Sequence, residues 1–181
     1  MILVMNVCVD RLSELEFVRP IECILKDCNS NFFAKHYSAI TRNDVEKAKK
    51  VIICGTALKD FEYLRNIGRF EWIREFEKPV LGICAGFEIL AKVYGNDLIE
   101  RRKIGRFRVE VIEKNKLTAS REFYSYFLNS KDVKMKKHFL TLAKSEGLAC
   151  MAKHETKEIY GCLFHPEVLN PEIITNFCNC L

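Results

Sequence analysis

The residues best suited to chemistry are Cys84 in Gly82-Ile83-Cys84-Ala85-Gly86 and the His165-Pro166-Glu167 tripeptide that follows it 81 residues later (165 − 84). The first has the G-x-nucleophile-x-G form of a nucleophile elbow, with cysteine as the nucleophile. A strand turning sharply into a helix needs glycines beside the turn, because side chains there would collide. The nucleophile then stands at a helix N-terminus, whose dipole favours thiolate. The N–H of Ala85 is left to stabilise an oxyanion. A cysteine nucleophile needs a base, and the base an orienting group. His165 and Glu167 are two apart, so in extended backbone they project to one side, and Pro166 biases His165 away from helix. Together they predict acyl transfer through a thioester, with Cys84, His165 and Glu167 as a triad.

The elements around these residues fit that prediction. Residues 1–9, 51–54 and 79–83 are apolar runs suited to buried strands, and 32–40 holds a further candidate. Between them lie helical patterns over 13–26, starting or kinking at Pro20, from a cap at Asn43 or Asp44 through Lys50, and over 60–76. A helix from about Gly86 to Tyr94 follows Cys84. Strands apolar on both faces, alternating with helices, predict a parallel sheet covered on both sides. After Ile104 the pattern changes to half-exposed alternation over 106–112, then short strands over 139–143, 148–153 and 158–164, an antiparallel meander. A helix from Pro171 to about Cys178 ends the pattern. The fold class expected is α/β, a mainly parallel central sheet flanked by helices with an antiparallel extension, in one domain over 1–181.

Composition narrows the function classes. The 181 residues are 49% hydrophobic and 29% charged, with a net charge of +5, ordinary for a globular protein. No run approaches the roughly 20 apolar residues of a membrane span, and the first ten residues read as a strand rather than a leader. A cytoplasmic location is the expectation. The nine cysteines include no C-x-x-C pair, so a zinc ribbon or redox motif is disfavoured, and the thiols are expected to be reduced. No metal or cofactor is called for. The basic clusters at 101–108 and 131–137 read as solvated surface, with docking on an acidic protein as the second reading. No aromatic-interleaved basic motif points to nucleic acid.

Two segments, Pro79-Val80-Leu81-Gly82-Ile83-Cys84-Ala85-Gly86 and Tyr160-Gly161-Cys162-Leu163-Phe164-His165-Pro166-Glu167-Val168, resemble the class I glutamine amidotransferases, a flavodoxin-like fold with a Cys-His-Glu triad. The second, with Lys153 to Lys157 before it, is most similar to the amidotransferase subunits of archaeal GMP synthetases. The resemblance implies glutamine as substrate, Cys84 attacking its side-chain amide, His165 shuttling protons and Glu167 orienting His165. It implies a separate synthetase subunit that receives the ammonia. It also implies an oxyanion hole from Gly55 and Ala85, with Thr56 where the family usually has proline. Where the family has the glutamine of G-x-C-x-G-x-Q, this chain has Glu88. The family's substrate segment matches Asn129 to Asp132, giving Asn129 and Ser130, with Glu88, as substrate-binding candidates. Two alternatives stay open: a hydrolase of γ-glutamyl compounds or another small amide, and a catalytically weak regulatory or docking homologue.

Overall fold

The computed structural model describes residues 1–181, built on one ten-stranded mixed sheet. In chain order the strands are β1 (Ile2–Asn6), β2 (Phe32–His36), β3 (Lys50–Ile53), β4 (Val80–Ile83), β5 (Asp97–Val111), β6 (Glu122–Lys134), β7 (Phe139–Ser145), β8 (Leu148–His154), β9 (Ile159–Cys162) and β10 (Phe164–His165). The helices are α1 (Glu14–Phe17), α2 (Arg19–Asp27), α3 (Arg42–Lys47), α4 (Glu62–Arg65), α5 (Ala85–Val93), α6 (Pro166–Leu169) and α7 (Pro171–Cys180). No helix is long and apolar enough to cross a membrane.

Strands β2-β1-β3-β4-β9 are parallel and adjacent. Each of β1, β3 and β4 is short, apolar and almost wholly buried, as strands covered on both faces must be. Helices α2, α6 and α7 pack against one another, and α5 packs on the central strands and on the 3-10 segment Ile67–Arg74. From β9 onward the sheet is antiparallel, in the order β9-β8-β7-β5-β6-β10.

That antiparallel half is larger than the sequence suggests: five of the nine strand pairings are antiparallel. Only Leu163 separates β9 from β10, yet β10 pairs with β6, at the far end of the order. The antiparallel strands therefore roll round until their last member meets the chain leaving the parallel sheet. Phe127 fills the roll, with Phe107 and Phe164 at centroid distances of 5.7 and 5.8 Å.

Local expectations change in four places. The helix read over 60–76 is two pieces, α4 and a 3-10 segment, divided at Asn66, whose side chain bonds back to Glu62 O. The cap of α3 is Thr41, with Asp44 at the third helical position completing a capping box, and Lys50 belongs to β3. The helix around Pro20 is split, α1 ending before Val18 and α2 starting with Pro20 in its first turn. Strand β6 was not legible as a strand, and β5 starts nine residues before the alternating stretch at Arg106 (106 − 97).

Candidate functional site

Strand β4 delivers Cys84 and α5 begins at the next residue. Cys84 has φ +49° and ψ −106°, a region that costs a side-chain-bearing residue about 1–3 kcal/mol. The surroundings hold it there. Its N–H donates to Cys162 O at 2.7 Å, tying the elbow to β9. A Cβ on Gly82 would lie 2.6 Å from the Gly86 backbone, and one on Gly86 would lie 2.3 Å from Ile53 O. The two glycines are therefore a packing requirement of the turn.

His165 arrives on β10, paired to Tyr126 of β6. The sequence pattern predicts an extended His165-Pro166-Glu167. Instead Pro166 opens α6 and Glu167 lies in its first turn, because proline's fixed φ suits a first helical position as well as a strand. The pairing survives: His165 Nδ1 and Glu167 Oε1 are 2.7 Å apart, with both side chains buried. His165 Nε2 makes no hydrogen bond, and neither does Glu167 Oε2. The Cys84 thiol donates to Leu128 O at 3.5 Å instead. Burial disfavours the imidazolium, but the neighbouring Cys84 and Glu167 outweigh it and hold His165 well above its ordinary value. The Phe17 ring, at 5.5 Å, backs the imidazole, and a Cβ on Gly55 would strike His165 Cε1 at 2.7 Å.

Gly55 follows β3 and Ala85 is the first residue of α5, whose N–H has no partner within the helix. Thr56, which stands where the family usually has proline, ties its loop by side-chain hydrogen bonds instead. Its hydroxyl donates to Asp60 Oδ2 at 2.7 Å, and the same oxygen accepts from Val9 N–H at 2.9 Å.

Glu88, Asn129 and Ser130 line one small cavity with Cys84 and Ala85. Tyr63 O–H donates to Glu88 Oε2 at 2.7 Å, and burial pushes the Glu88 carboxyl up to about 7. Asn129 donates to Lys131 O at 2.8 Å and to Asp132 Oδ1 at 3.3 Å, leaving its own buried Oδ1 without a partner. The cavity measures ≈ 10 Å³, room for about one water. Tyr63, Leu128 O and the Thr56–Asp60 staple were not foreseen as site features; Tyr63 reads in sequence as one more core aromatic. A larger groove of ≈ 780 Å³ lies beside α3, around Tyr37 and Trp72, but it holds neither the thiol nor its partners.

Of the remaining cysteines near the site, Cys54 and Cys162 are fully buried, and burial drives both thiols well above their ordinary values. They stay neutral packing groups. All nine cysteines are unpaired.

Known proteins resemble this chain in sequence and in fold. Over 110 residues the chain is 37% identical to a glutamine-hydrolyzing GMP synthase subunit of Methanocaldococcus jannaschii, covering 55% of this chain and 58% of that one. Against the protein of the same name from Pyrococcus furiosus it is 34% identical over 128 residues, covering 63% and 68%. The match to the first thus spans less than two thirds of its length. A Thermoplasma acidophilum crystal structure, provisionally named as a GMP synthase subunit, superposes with a TM-score of 0.87 at 20% identity, over 98% of this chain and 91% of that one. A Thermotoga maritima glutamine amidotransferase superposes at 0.74 and 19% identity, over 92% and 75%. The two structures establish the fold. Residues 21–178 match the family model described as Glutamine amidotransferase class-I, and the chain belongs to that family.

Proposed function

We propose that this chain hydrolyses glutamine to glutamate and ammonia through a thioester at Cys84, and that the ammonia passes to a separate synthetase subunit. One observation carries the reading: in a chain of this family, a strained cysteine elbow stands against a buried His165–Glu167 pair. His165 Nε2, free of other partners, holds the proton given up by the Cys84 thiol, and Sγ attacks the amide carbon as thiolate. The N–H groups of Ala85 and Gly55 receive the oxyanion. The imidazolium returns its proton to the leaving nitrogen, so ammonia departs and the acyl group stays on sulfur. Water, deprotonated by His165, then releases glutamate and restores the thiol. Glu167 fixes the ring and offsets its charge in both halves of the cycle. The relatives' names support a GMP synthase as the receiving enzyme.

A cavity of ≈ 10 Å³ admits no glutamine, so binding requires the 56–61 loop and β6 to part. Purified protein, alone and with candidate synthetases, is expected to release glutamate from glutamine. Cys84→Ala is expected to remove this activity by roughly 10⁴-fold or more. Undiminished activity in that variant would overturn the assignment. A second reading, hydrolysis of a γ-glutamyl compound or another small amide, is favoured by the Glu88 carboxyl in the substrate cavity. A substrate panel separates the two, and glutamine as best substrate removes the alternative.

A further inference from the structure

The cavity beside Cys84 has an unbalanced lining. Two of its twelve lining residues, Asp60 and Glu88, are acidic, Asn129 adds an unpaired buried acceptor, and none of the twelve is basic. A free amino acid carries both an ammonium and a carboxylate. The acceptors suit the ammonium. A carboxylate placed among them without a cation would be repelled.

A cation stands beside Phe61, at the lip. Lys131 lies on β6, two residues after Asn129, and its ammonium sits 4.8 Å above the ring of Phe61, which lines the cavity from the opposing loop. Its side chain is only 14% exposed. Its positive charge reaches Glu88, although burial is the larger influence on that carboxyl. Its ion-pair partner is Glu100, the cross-strand neighbour on β5, whose own side chain is 78% exposed. A mostly buried ammonium is thus held by a mostly solvated carboxylate. A carboxylate this exposed holds the ammonium in high dielectric, so the pair adds little to folding.

We propose that Lys131 is the cation that reads the substrate's α-carboxylate, exchanging Glu100 for the ligand when the cavity opens. The inference rests on the glutamine reading above and extends it to a residue outside the triad and the Glu88, Asn129 and Ser130 set. Parting Lys131 from the Phe61 ring and seating the carboxylate are one movement, so the group that closes the lip also recognises what enters. The substrate class follows: a primary amide bearing a free α-carboxylate, with the ammonium turned toward Glu88 and Asn129 Oδ1.

The test compares L-glutamine with 4-aminobutanamide, which is glutamine without its α-carboxylate, in the wild type, Lys131→Met and Lys131→Arg. For glutamine, Lys131→Met is expected to raise KM roughly 10- to 100-fold, the range of a lost hydrogen bond to a charged group, with kcat nearly unchanged. For 4-aminobutanamide, KM should not move, and Lys131→Arg should restore most of the glutamine affinity. Equal KM values for glutamine in wild type and Lys131→Met would overturn the proposal. So would an equal loss for both amides, which marks a structural role. Equilibrium binding of both amides to Cys84→Ala, with and without Lys131→Met, separates this proposal from the catalytic one. Lys131-dependent glutamine binding without turnover by the wild type would sink the hydrolase reading and leave this one standing. Absence of any glutamine binding would sink both.

Discussion

Glu88 and Glu167 are both buried carboxyls, but their partners give them different work. Glu167 faces an imidazole whose positive charge it stabilises. Glu167→Gln keeps the shape and removes the charge, and is expected to lower kcat by roughly 10²- to 10⁴-fold with a smaller effect on KM, measured by steady-state glutaminase kinetics. Glu88 faces a phenol in a closed cavity, and its carboxyl is raised from 4.5 to about 7. Below pH 4.5 it is protonated folded or unfolded, so it neither helps nor harms. Between 4.5 and 7 the unfolded chain loses this proton and the folded one keeps it, so stability falls with rising pH. Above 7 the deficit is constant, at about 3 kcal/mol for a shift of this size. Glu88→Gln should therefore raise stability at pH 8 by about 2–4 kcal/mol and change it little near pH 4.5. Urea melts at both pH values check this; an equal gain at both would mean that ionisation is not the cause.

At the scale of elements, the elbow was legible because its constraint is local. Two glycines that meet each other and β3 across one turn leave a five-residue signature. Gly86→Ala, which must push against Ile53 O, should cost about 3 kcal/mol or prevent folding, read as a loss of urea midpoint. Strand β6 was illegible for the opposite reason. Its buried face carries Ser125 and Asn129 while Tyr124 on the opposite face is half exposed, so its polarity runs against its burial up to the part that reaches the site. The start of β5 was hidden by Arg101, Arg102 and Lys103, although Lys103 is buried between the Phe107 and Phe127 rings with Ser145 accepting at 2.7 Å. Long apolar stems and compensated charge allow this, but no periodicity announces it. The 56–61 loop was only half readable. Gly55 could be matched, whereas the Thr56–Asp60–Val9 staple joins residues distant in sequence. Thr56→Val removes one of its bonds. It should speed alkylation of Cys84 severalfold, followed by peptide mass mapping, if loop opening limits access.

For the whole molecule, the architecture divides the site between two kinds of sheet. The parallel half supplies the proposed nucleophile, Cys84, and the proposed oxyanion donors, and the rolled antiparallel half supplies the surface that β10 rests on. Alternating strands and helices made the first half readable. The roll was not, because closure of β10 on β6 is a pairing between segments 37 residues apart (164 − 127) that no local pattern specifies. Phe127→Ala, at the centre of the roll, is expected to cost about 3–5 kcal/mol. It should also lower kcat by loosening the strand beside His165; a destabilised variant with full activity would show that the seam does not position the base.

Leu163, the single residue between β9 and β10, has a consequence for synthesis. A growing chain exposes its thiol when Cys84 emerges, but the proposed base comes 81 residues later (165 − 84), at the stitch that closes the roll. A product interrupted between Cys162 and Phe164 carries the cysteine and nine of the ten strands, yet has neither His165 nor the seam. The reactive pair is assembled only by the step that closes the sheet on itself, so competence for chemistry and completion of the roll are certified together.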